Sequence, residues 1–459
     1  MIQLNRMRAT EQIDITGIGS DLQGVGRLAD GRAVFVPGAI PGERVTATVT
    51  QDKGRFCEAS LCDVLRPSED RVSPACPHAG DCGGCQARHI RYPRTLELKR
   101  QVVRDALARI GGVEAPEVLP TLGCDAPDRT RNKAEYPIGR QDGRAVIGAY
   151  ARGSHRVIPL NDCLLQRTQS TGALAWFAER LDGLDWANHL KALVTRVNRE
   201  GALMVVLCAD APIVADIRRL CPTLCTALPS LQSLWLCQLN RRPAHALDGR
   251  CTRVFGEESL TDTLMGLQFT LSPQSFFQVN PDQTERLYAT ALEAAGIRPG
   301  CDLDVLDAYC GAGTITLSAA RWARRATGIE IVPPAIADAK RNATRNGLDD
   351  RADFICGDAA VEIPRLLNKG RRFDAAILDP PRKGADPALL DALADAGIPT
   401  ISYVSCNPAT LARDVKRLGG RGYRLAWAQP VDMFPWTGHV ETVALLSRRK
   451  DGTRIQVTM

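Results

Sequence analysis

The chain has 459 residues, 24% of them charged and 44% hydrophobic, with a formal net charge of +6. That length exceeds one small core and implies about two to four domains, and no apolar run reaches the ~20 residues of a membrane-spanning helix. The opening "MIQLNRMRATEQIDITG" lacks an apolar h-region and a cleavage site, so no signal peptide is read and the expected location is cytoplasmic.

The charge is uneven. Residues 1–70 carry 8 Lys/Arg against 10 Asp/Glu, residues 71–160 carry 15 against 9, and the rest carries 35 against 33. The excess lies in the second segment, where it is compatible with phosphate contacts without establishing them. Sixteen cysteines are present. A disulfide framework is not expected in a long chain without a secretion signal, so metal ligation or catalysis must explain some of them. Cys208, Cys221, Cys225, Cys237, Cys251, Cys301 and Cys356 lie among ordinary residues and are read as mostly packed thiols.

In chain order, the first seventy residues read as short β-strands, "RAVFVPG" and "ERVTATVT" among them, with Gly, Pro and Asp at the bends. About five short strands without helices predict a small closed barrel. It is either a folding module or a nucleic-acid-binding barrel of the OB type presenting Arg27, Arg32, Lys53 and Arg55.

Next comes "CPHAGDCGGCQARH", with Cys76, Cys82 and Cys85 spaced C-x5-C-x2-C and two glycines between the last pair. Glycines let the backbone fold tightly and aim amide N–H groups at sulfur. Cys163 in "PLNDCLLQ" is the best candidate for a fourth ligand, with His78 or His89 as possible substitutes. Four thiolates suit zinc and an iron–sulfur cluster equally well. A fully ligated centre favours a structural role over radical chemistry, for instance holding the basic "TRNKAEYPIGR" segment. Residues 170–270 read as a mixed α/β region with "ALMVVLC" and "LQSLWLCQL" as strands.

The C-terminal third carries the clearest pattern. "DLDVLDAYCGAGTITLSAA" is a strand, a glycine turn and a helix start, with Thr314 or Thr316 helping to begin the helix. Glu330 ends a second strand, where a carboxylate can accept ribose hydroxyl protons. Asp358 follows a third strand, near an adenine amino group, and Asp379 ends a fourth before two prolines. This order suits S-adenosylmethionine; G-x-G-x-x-G, which cradles a pyrophosphate, is absent. Cys406 in "SCNPATLARD" follows the next strand on the same edge.

Methylating an oxygen or an amine needs no thiol, but uracil C5 is not nucleophilic until a thiolate adds at C6. The adduct then carries a methyl and a proton on C5, so a base must act. Glu441 in "FPWTGHVETVALL" is the candidate base, and His439 the lesser one.

These residues resemble the RNA uracil-C5 methyltransferase family, in particular bacterial 23S ribosomal RNA members with an N-terminal TRAM domain. The resemblance spans nearly the whole chain and rests on the cysteine segment, "TRNKAEYP", "SPQSFFQVNPDQTERLY", "LDAYCGAGTITL", "ILDPPRKG", "SCNPATLARD" and "DMFPWTGHVETVALL". It implies a multidomain α/β chain. Residues 1–68 would be an OB-like TRAM β-barrel binding RNA. Residues 69–270 would hold the four-cysteine site and a central α/β domain, and 271–459 a Rossmann-like S-adenosylmethionine-dependent methyltransferase domain. It further implies a [4Fe-4S] cluster on Cys76, Cys82, Cys85 and Cys163, and a methyl-donor site lined by Gln278, Tyr309, Thr314, Glu330, Asp358 and Asp379. Cys406 is implied as nucleophile and Glu441 as base, and Asp379 is also implied to contact the target base. Thr130 stands where the family motif has tyrosine, and Thr314 where some members have asparagine. The expected partner is 23S rRNA presenting an unpaired or extrudable uridine, the expected state a monomer without membrane contact. Transfer RNA, two separate 23S sites, or a non-catalytic assembly factor are the alternatives.

Overall fold

The computed structural model describes residues 10–448. The reading of the extreme N-terminus, and the outer ends of the first and last expected domains, lie outside the described residues.

The first sheet has six strands, β1 (Thr10–Asp14), β2 (Gly17–Ile18), β3 (Gly24–Arg27), β4 (Ala33–Val36), β5 (Arg44–Asp52) and β6 (Phe56–Arg66), in the order β1-β5-β6-β4-β3-β2. Alternate residues Val45, Ala47 and Val49 of β5 turn inward onto Val34, Val36 and Cys57, as a curled sheet with one solvated face requires. A curled OB-like half-barrel is thus present with one strand more than expected, the two-residue β2, and the expected closure is not seen in its strand pairing among the described residues. The edge strands β1 and β2 are not neighbours in the hydrogen-bonded order. The barrel is docked rather than tethered. Leu22 and Ile40 share a buried cluster with Ala87, Ile90 and Leu98, and buried Glu43 pairs with Arg71 of the segment that follows.

That segment leads into α1 (Tyr92–Arg109), with Pro93 in its first turn. Buried Thr95, Leu98, Lys99, Val103 and Leu107 recur at three- and four-residue steps and form one face. Lys99 is fully buried and pairs with fully buried Asp432, 333 residues later; its Nζ also donates to the Phe434 carbonyl at 3.0 Å. The Tyr92 hydroxyl donates to the other Asp432 oxygen at 2.7 Å. Lys99→Met leaves Asp432 a buried charge without its cation, so it should destabilise the fold by about 3–5 kcal/mol, with partial recovery in Lys99→Met/Asp432→Leu. Equilibrium urea denaturation of the three proteins checks this.

The middle of the chain forms a seven-stranded sheet, β13-β12-β11-β10-β7-β8-β9. Its elements are β7 (Lys133–Gln141), β8 (Arg144–Tyr150), β9 (Val157–Pro159), α2 (Thr168–Arg180), β10 (Leu190–Val197), β11 (Leu203–Ala209), α3 (Val214–Ala227), β12 (Leu231–Leu239) and β13 (Gly249–Gly256). The wholly buried β11, "LMVVLCA", lies in its interior between β12 and the central β10. A hairpin of β14 (Leu260–Leu264) and β15 (Leu267–Leu271) leads to α4 (Pro281–Ala294), whose N-cap Asn280 accepts from the Gln283 amide.

The last sheet comprises β16 (Asp304–Ala308), β17 (Arg325–Glu330), β18 (Ala352–Cys356), β19 (Ala375–Leu378), β20 (Thr400–Ser405), β21 (Tyr423–Val431) and β22 (Glu441–Arg448). Between them lie α5 (Thr314–Ala320), α6 (Pro333–Arg345), α7 (Ala359–Asn368), α8 (Pro387–Asp395) and α9 (Pro408–Gly419). Strand order is β18-β17-β16-β19-β20-β22-β21, parallel except where β22 joins its neighbours. The order reverses between β16 and β19, the switch point at which an open parallel sheet leaves a crevice beyond its strand ends. Antiparallel β22 therefore brings its first residue, Glu441, to the edge where β20 ends. The register pairs Thr442 with Ser405, so Glu441 and Cys406 flank one another.

Candidate active site

The crevice is built from strand ends. After β16 the chain turns through Tyr309 (φ 79°) and Gly313 (φ 83°) into α5. A Cβ on Gly313 would stand 2.9 Å from the Phe354 ring, so close approach as well as φ demands glycine. Thr314 opens α5 and its hydroxyl meets the buried Tyr288 hydroxyl at 3.0 Å. Thr316 instead donates to buried Asp307 at 2.6 Å, and burial raises that carboxyl to about 7. Glu330, ending β17, accepts from the Gly311 and Val332 amides at 3.2 and 2.9 Å. Asp358 caps α7 through the Ala360 amide at 2.9 Å. The Tyr309 hydroxyl accepts from the Asp386 amide at 3.2 Å. Gln278 lies in the β15–α4 loop. Its carbonyl accepts from Asn132 at 3.1 Å, and the Asn132 amide donates to Val279, tying "TRNK" to this loop.

Asp379 follows β19, and burial pushes its carboxyl up to about 7. Glu441 is raised to about 8, first by burial, then by the Asp379 charge, against the opposing pull of Arg382. Cys406 stands between the end of β20 and Asn407, the N-cap of α9, whose side chain accepts from Ala409 at 3.0 Å. A helix N-terminus favours a thiolate, yet burial and the Glu441 charge outweigh it and push the thiol up to about 11. Arg382 pulls it back down. Its guanidinium donates to His439 Nδ1 at 3.1 Å, and burial, with Arg382, lowers the imidazole's affinity for a proton. One ring nitrogen of His439 is thus engaged by Arg382.

The loop Asp432–Val440 that delivers Glu441 is clasped from outside. The Gln86 and Ala87 amides of the cysteine segment donate to the Trp436 carbonyl at 2.8 and 3.0 Å. Arg88 lies 5.0 Å over the Trp436 ring, and Arg88 and the Trp436 indole both bond Asp128 at 2.8 Å. The expectation that the cysteine segment steadies "TRNKAEYPIGR" is therefore incomplete, since it also grips the Glu441 loop. The basic excess of residues 71–160 is likewise only partly open to phosphates. Arg88, Lys99 and Arg129 pair with Asp128, Asp432 and Asp162.

Among the described residues no group of three or more His, Cys, Asp or Glu side chains is arranged to hold a metal ion. The four predicted cysteines nevertheless influence one another. The Cys163 thiol is raised by burial and further by Cys82 and Cys76, and Cys85 by burial and further by Cys163. The Gly84 amide points at Cys82 sulfur, 3.4 Å away. Arg131 Nε is buried without a hydrogen-bond partner, and Cys85 and Cys163 are the groups that favour its charge. The unpartnered Arg131 Nε, with Cys85 and Cys163 favouring its charge, is a group that a net-anionic centre held by these thiols would satisfy.

Sequence reasoning did not single out Arg382, although it lies in "DPPRKG", nor Tyr288, Asp307 or Phe276. Phe276 is 80% exposed two residues before Gln278, a large solvent-facing aromatic in the β15–α4 loop.

The family model for tRNA (Uracil-5-)-methyltransferase matches residues 254–449, and that for the TRAM domain residues 6–62. An uncharacterized RNA methyltransferase of Halalkalibacterium halodurans is 40% identical over 445 residues, covering 95% of this chain and 96% of that protein. Another from Caldanaerobacter subterraneus is 37% identical, covering 97% and 100%. The crystal structure of Pyrococcus abyssi tRNA (uracil-54, C5)-methyltransferase in complex with S-adenosyl-L-homocysteine is 27% identical. It superposes with a TM-score of 0.72 over 96% of this chain and 99% of that one. With a relative of that identity along nearly its whole length and the strand-end crevice described above, the chain belongs to the RNA uracil-5-methyltransferase family and is an S-adenosylmethionine-dependent RNA methyltransferase.

Proposed function

We propose that the protein methylates C5 of a specific uridine in 23S ribosomal RNA, with Cys406 as nucleophile and Glu441 as base. The observation that carries this is the flanking of Cys406 and Glu441 across β20 and β22, at the edge that also holds Asp379 and Glu330. S-adenosyl-L-methionine supplies the electrophilic methyl group, and Gln278, Tyr309, Thr314, Glu330, Asp358 and Asp379 are the residues that would hold it.

Cys406 sulfur bonds to C6 of the uracil, its proton passing to a neighbouring carboxylate or to water, and C5 becomes electron-rich. After C5 gains the methyl, Glu441 removes the C5 proton. The electron pair of that C–H bond reforms C5=C6 and expels the sulfur. Arg382 favours the thiolate and offsets the two carboxylates beside it. Phe276 offers an exposed face on which a base can stack, and drawing an unpaired uridine into the crevice costs less than opening a stacked one.

With Glu441 raised to about 8 and Cys406 to about 11, log(kcat/KM) should climb with pH from 6 to 9 as the required ionised forms appear. Arg382 lowers both groups, so Arg382→Ala should move the climb to higher pH and Arg382→Lys should largely restore it. A pH–rate profile of the three proteins reads this directly.

We propose that Cys76, Cys82, Cys85 and Cys163 bind a [4Fe-4S] cluster of structural role, supported by the four-thiol set and the orphaned Arg131 Nε. Anaerobic reconstitution with iron and sulfide should give about four irons per chain. Cys163→Ser should lower iron content and visible absorbance.

The proposed division of labour gives residues 1–68 to RNA binding, 69–270 to the cluster and central sheet, and 271–459 to methyl transfer, in a cytoplasmic monomer. No helix among the described residues is long and apolar enough to cross a membrane. Transfer RNA is the second reading, favoured by the archaeal neighbour, whose substrate is tRNA and which aligns along 99% of its length. Incubating 23S rRNA and tRNA separately with labelled methyl donor, then mapping 5-methyluridine by mass spectrometry, decides between them and shows whether one or two 23S sites are used. Methylation of tRNA alone would overturn the 23S assignment.

A further inference from the structure

Beside the crevice, a groove of about 280 Å³ lies where the first sheet, the cysteine segment and the Glu441 loop meet. We infer that it is a subsite for the nucleotide adjoining the target uridine, reading a base with an exocyclic amino group in preference to uracil. The inference rests on the proposal that uridine in RNA is the substrate.

The walls are Asp21 and Gln23 of the β2–β3 turn, Gln86 and Arg152 from the central region, and Gly438 and His439 of the Glu441 loop. They are fixed against one another. A Cβ on Gly438 would stand 2.6 Å from Asp21 Cα, so the turn lies backbone-to-backbone on the loop, while Gln86 is pinned through its amide to Trp436. The size is below the ~300–1,000 Å³ of clefts that enclose drug-sized ligands, which suits one nucleotide rather than a stretch of chain.

The polar groups left open select the occupant. Gln23 Oε1 already accepts from the Asp21 amide at 2.9 Å, so its NH₂ is the group free to donate. Gln86 Nε2 already donates to the Gly83 carbonyl at 2.9 Å, so its Oε1 is free to accept, as is the exposed Asp21 carboxylate. Two acceptors around one donor match an exocyclic amino group, whose two N–H bonds both find acceptors, beside a ring acceptor; adenine, cytosine and guanine carry such a group, and uracil, with a single N–H on its pairing edge, does not. The Arg152 guanidinium, exposed and bonded to the Cys85 carbonyl at 3.2 Å, keeps further N–H groups for a phosphate. His439 connects the groove to the reacting groups. It bonds Arg382, whose charge acts on both Cys406 and Glu441. A nucleotide lodged here is therefore next to the one whose base enters the crevice.

Eight fluorescein-labelled pentanucleotides with a central uridine, varied to A, C, G or U at the 5′ or the 3′ neighbour, are titrated by anisotropy with protein saturated in S-adenosylhomocysteine. At one of the two positions, A, C or G should bind about fivefold or more tighter than U. Gln23→Ala and Gln86→Ala should each shrink that ratio toward one while leaving S-adenosylhomocysteine affinity unchanged. Equal affinity for all eight, no measurable binding, or discrimination surviving both substitutions overturns the subsite. Formation of 5-methyluridine is scored in parallel. Its absence alongside retained discrimination would remove the catalytic reading and leave the subsite standing.

Discussion

Cys406→Ala should abolish methyl transfer, by a factor on the order of 10⁴–10⁶, while S-adenosylhomocysteine binds as before. The size of the loss follows from the substrate, since without a bond at C6 the C5 carbon stays electron-poor and no positioning of the methyl donor compensates. Binding should survive because the turn after β16 and Glu330 are held by backbone amides and by Tyr288, none of which touches the thiol. Single-turnover kinetics and calorimetric titration of the same preparation separate the two effects. Cys406→Ser should behave almost as badly, because a hydroxyl of high pKa meets the same burial and the same two carboxylates that already push the thiol up to about 11.

Glu441→Gln should fail at a different point. Removing the carboxylate takes away the second cause of the Cys406 shift, so the thiol becomes easier to ionise and addition to C6 is retained. Methyl transfer follows, but the C5 proton has no acceptor. Steady-state turnover should fall by roughly 10²–10⁴-fold. Protein and RNA should accumulate as a covalent complex that survives denaturing electrophoresis. Asp379 does not rescue the step if its carboxyl, also raised by burial to about 7, is engaged with bound ligands. Cys406→Ala/Glu441→Gln should form no complex.

The crevice was legible in the sequence because each of its parts is local. A glycine turn after a strand, an acid at a strand end, and a cysteine followed by an N-cap asparagine and a proline are short-range patterns with physical reasons. What brings Glu441 to Cys406 is not local, since it depends on β22 running antiparallel beside β20. The Lys99–Asp432 pair, 333 residues apart, and the grip of Gln86 and Ala87 on Trp436 were illegible for the same reason. Arg382 was quoted within its motif but given no role, because its effect on Cys406, Glu441 and His439 arises only when three strand ends converge. The two-residue β2 is too short to leave an alternating pattern, which is why five strands were expected where six exist. The basic surplus of residues 71–160 suggested phosphate contacts, and sequence could not reveal that Arg88, Lys99 and Arg129 have carboxylate partners inside the protein.

Everything here depends on a temporary sulfur–carbon link between the enzyme and the pyrimidine. The direct test is peptide mapping by mass spectrometry of the complex trapped by Glu441→Gln with methyl donor and RNA. The account predicts one cross-linked peptide, joined through residue 406 to a uridine that already bears the new methyl on C5. Free RNA methylated on ribose or on a ring nitrogen, or a link through any other cysteine, would contradict it.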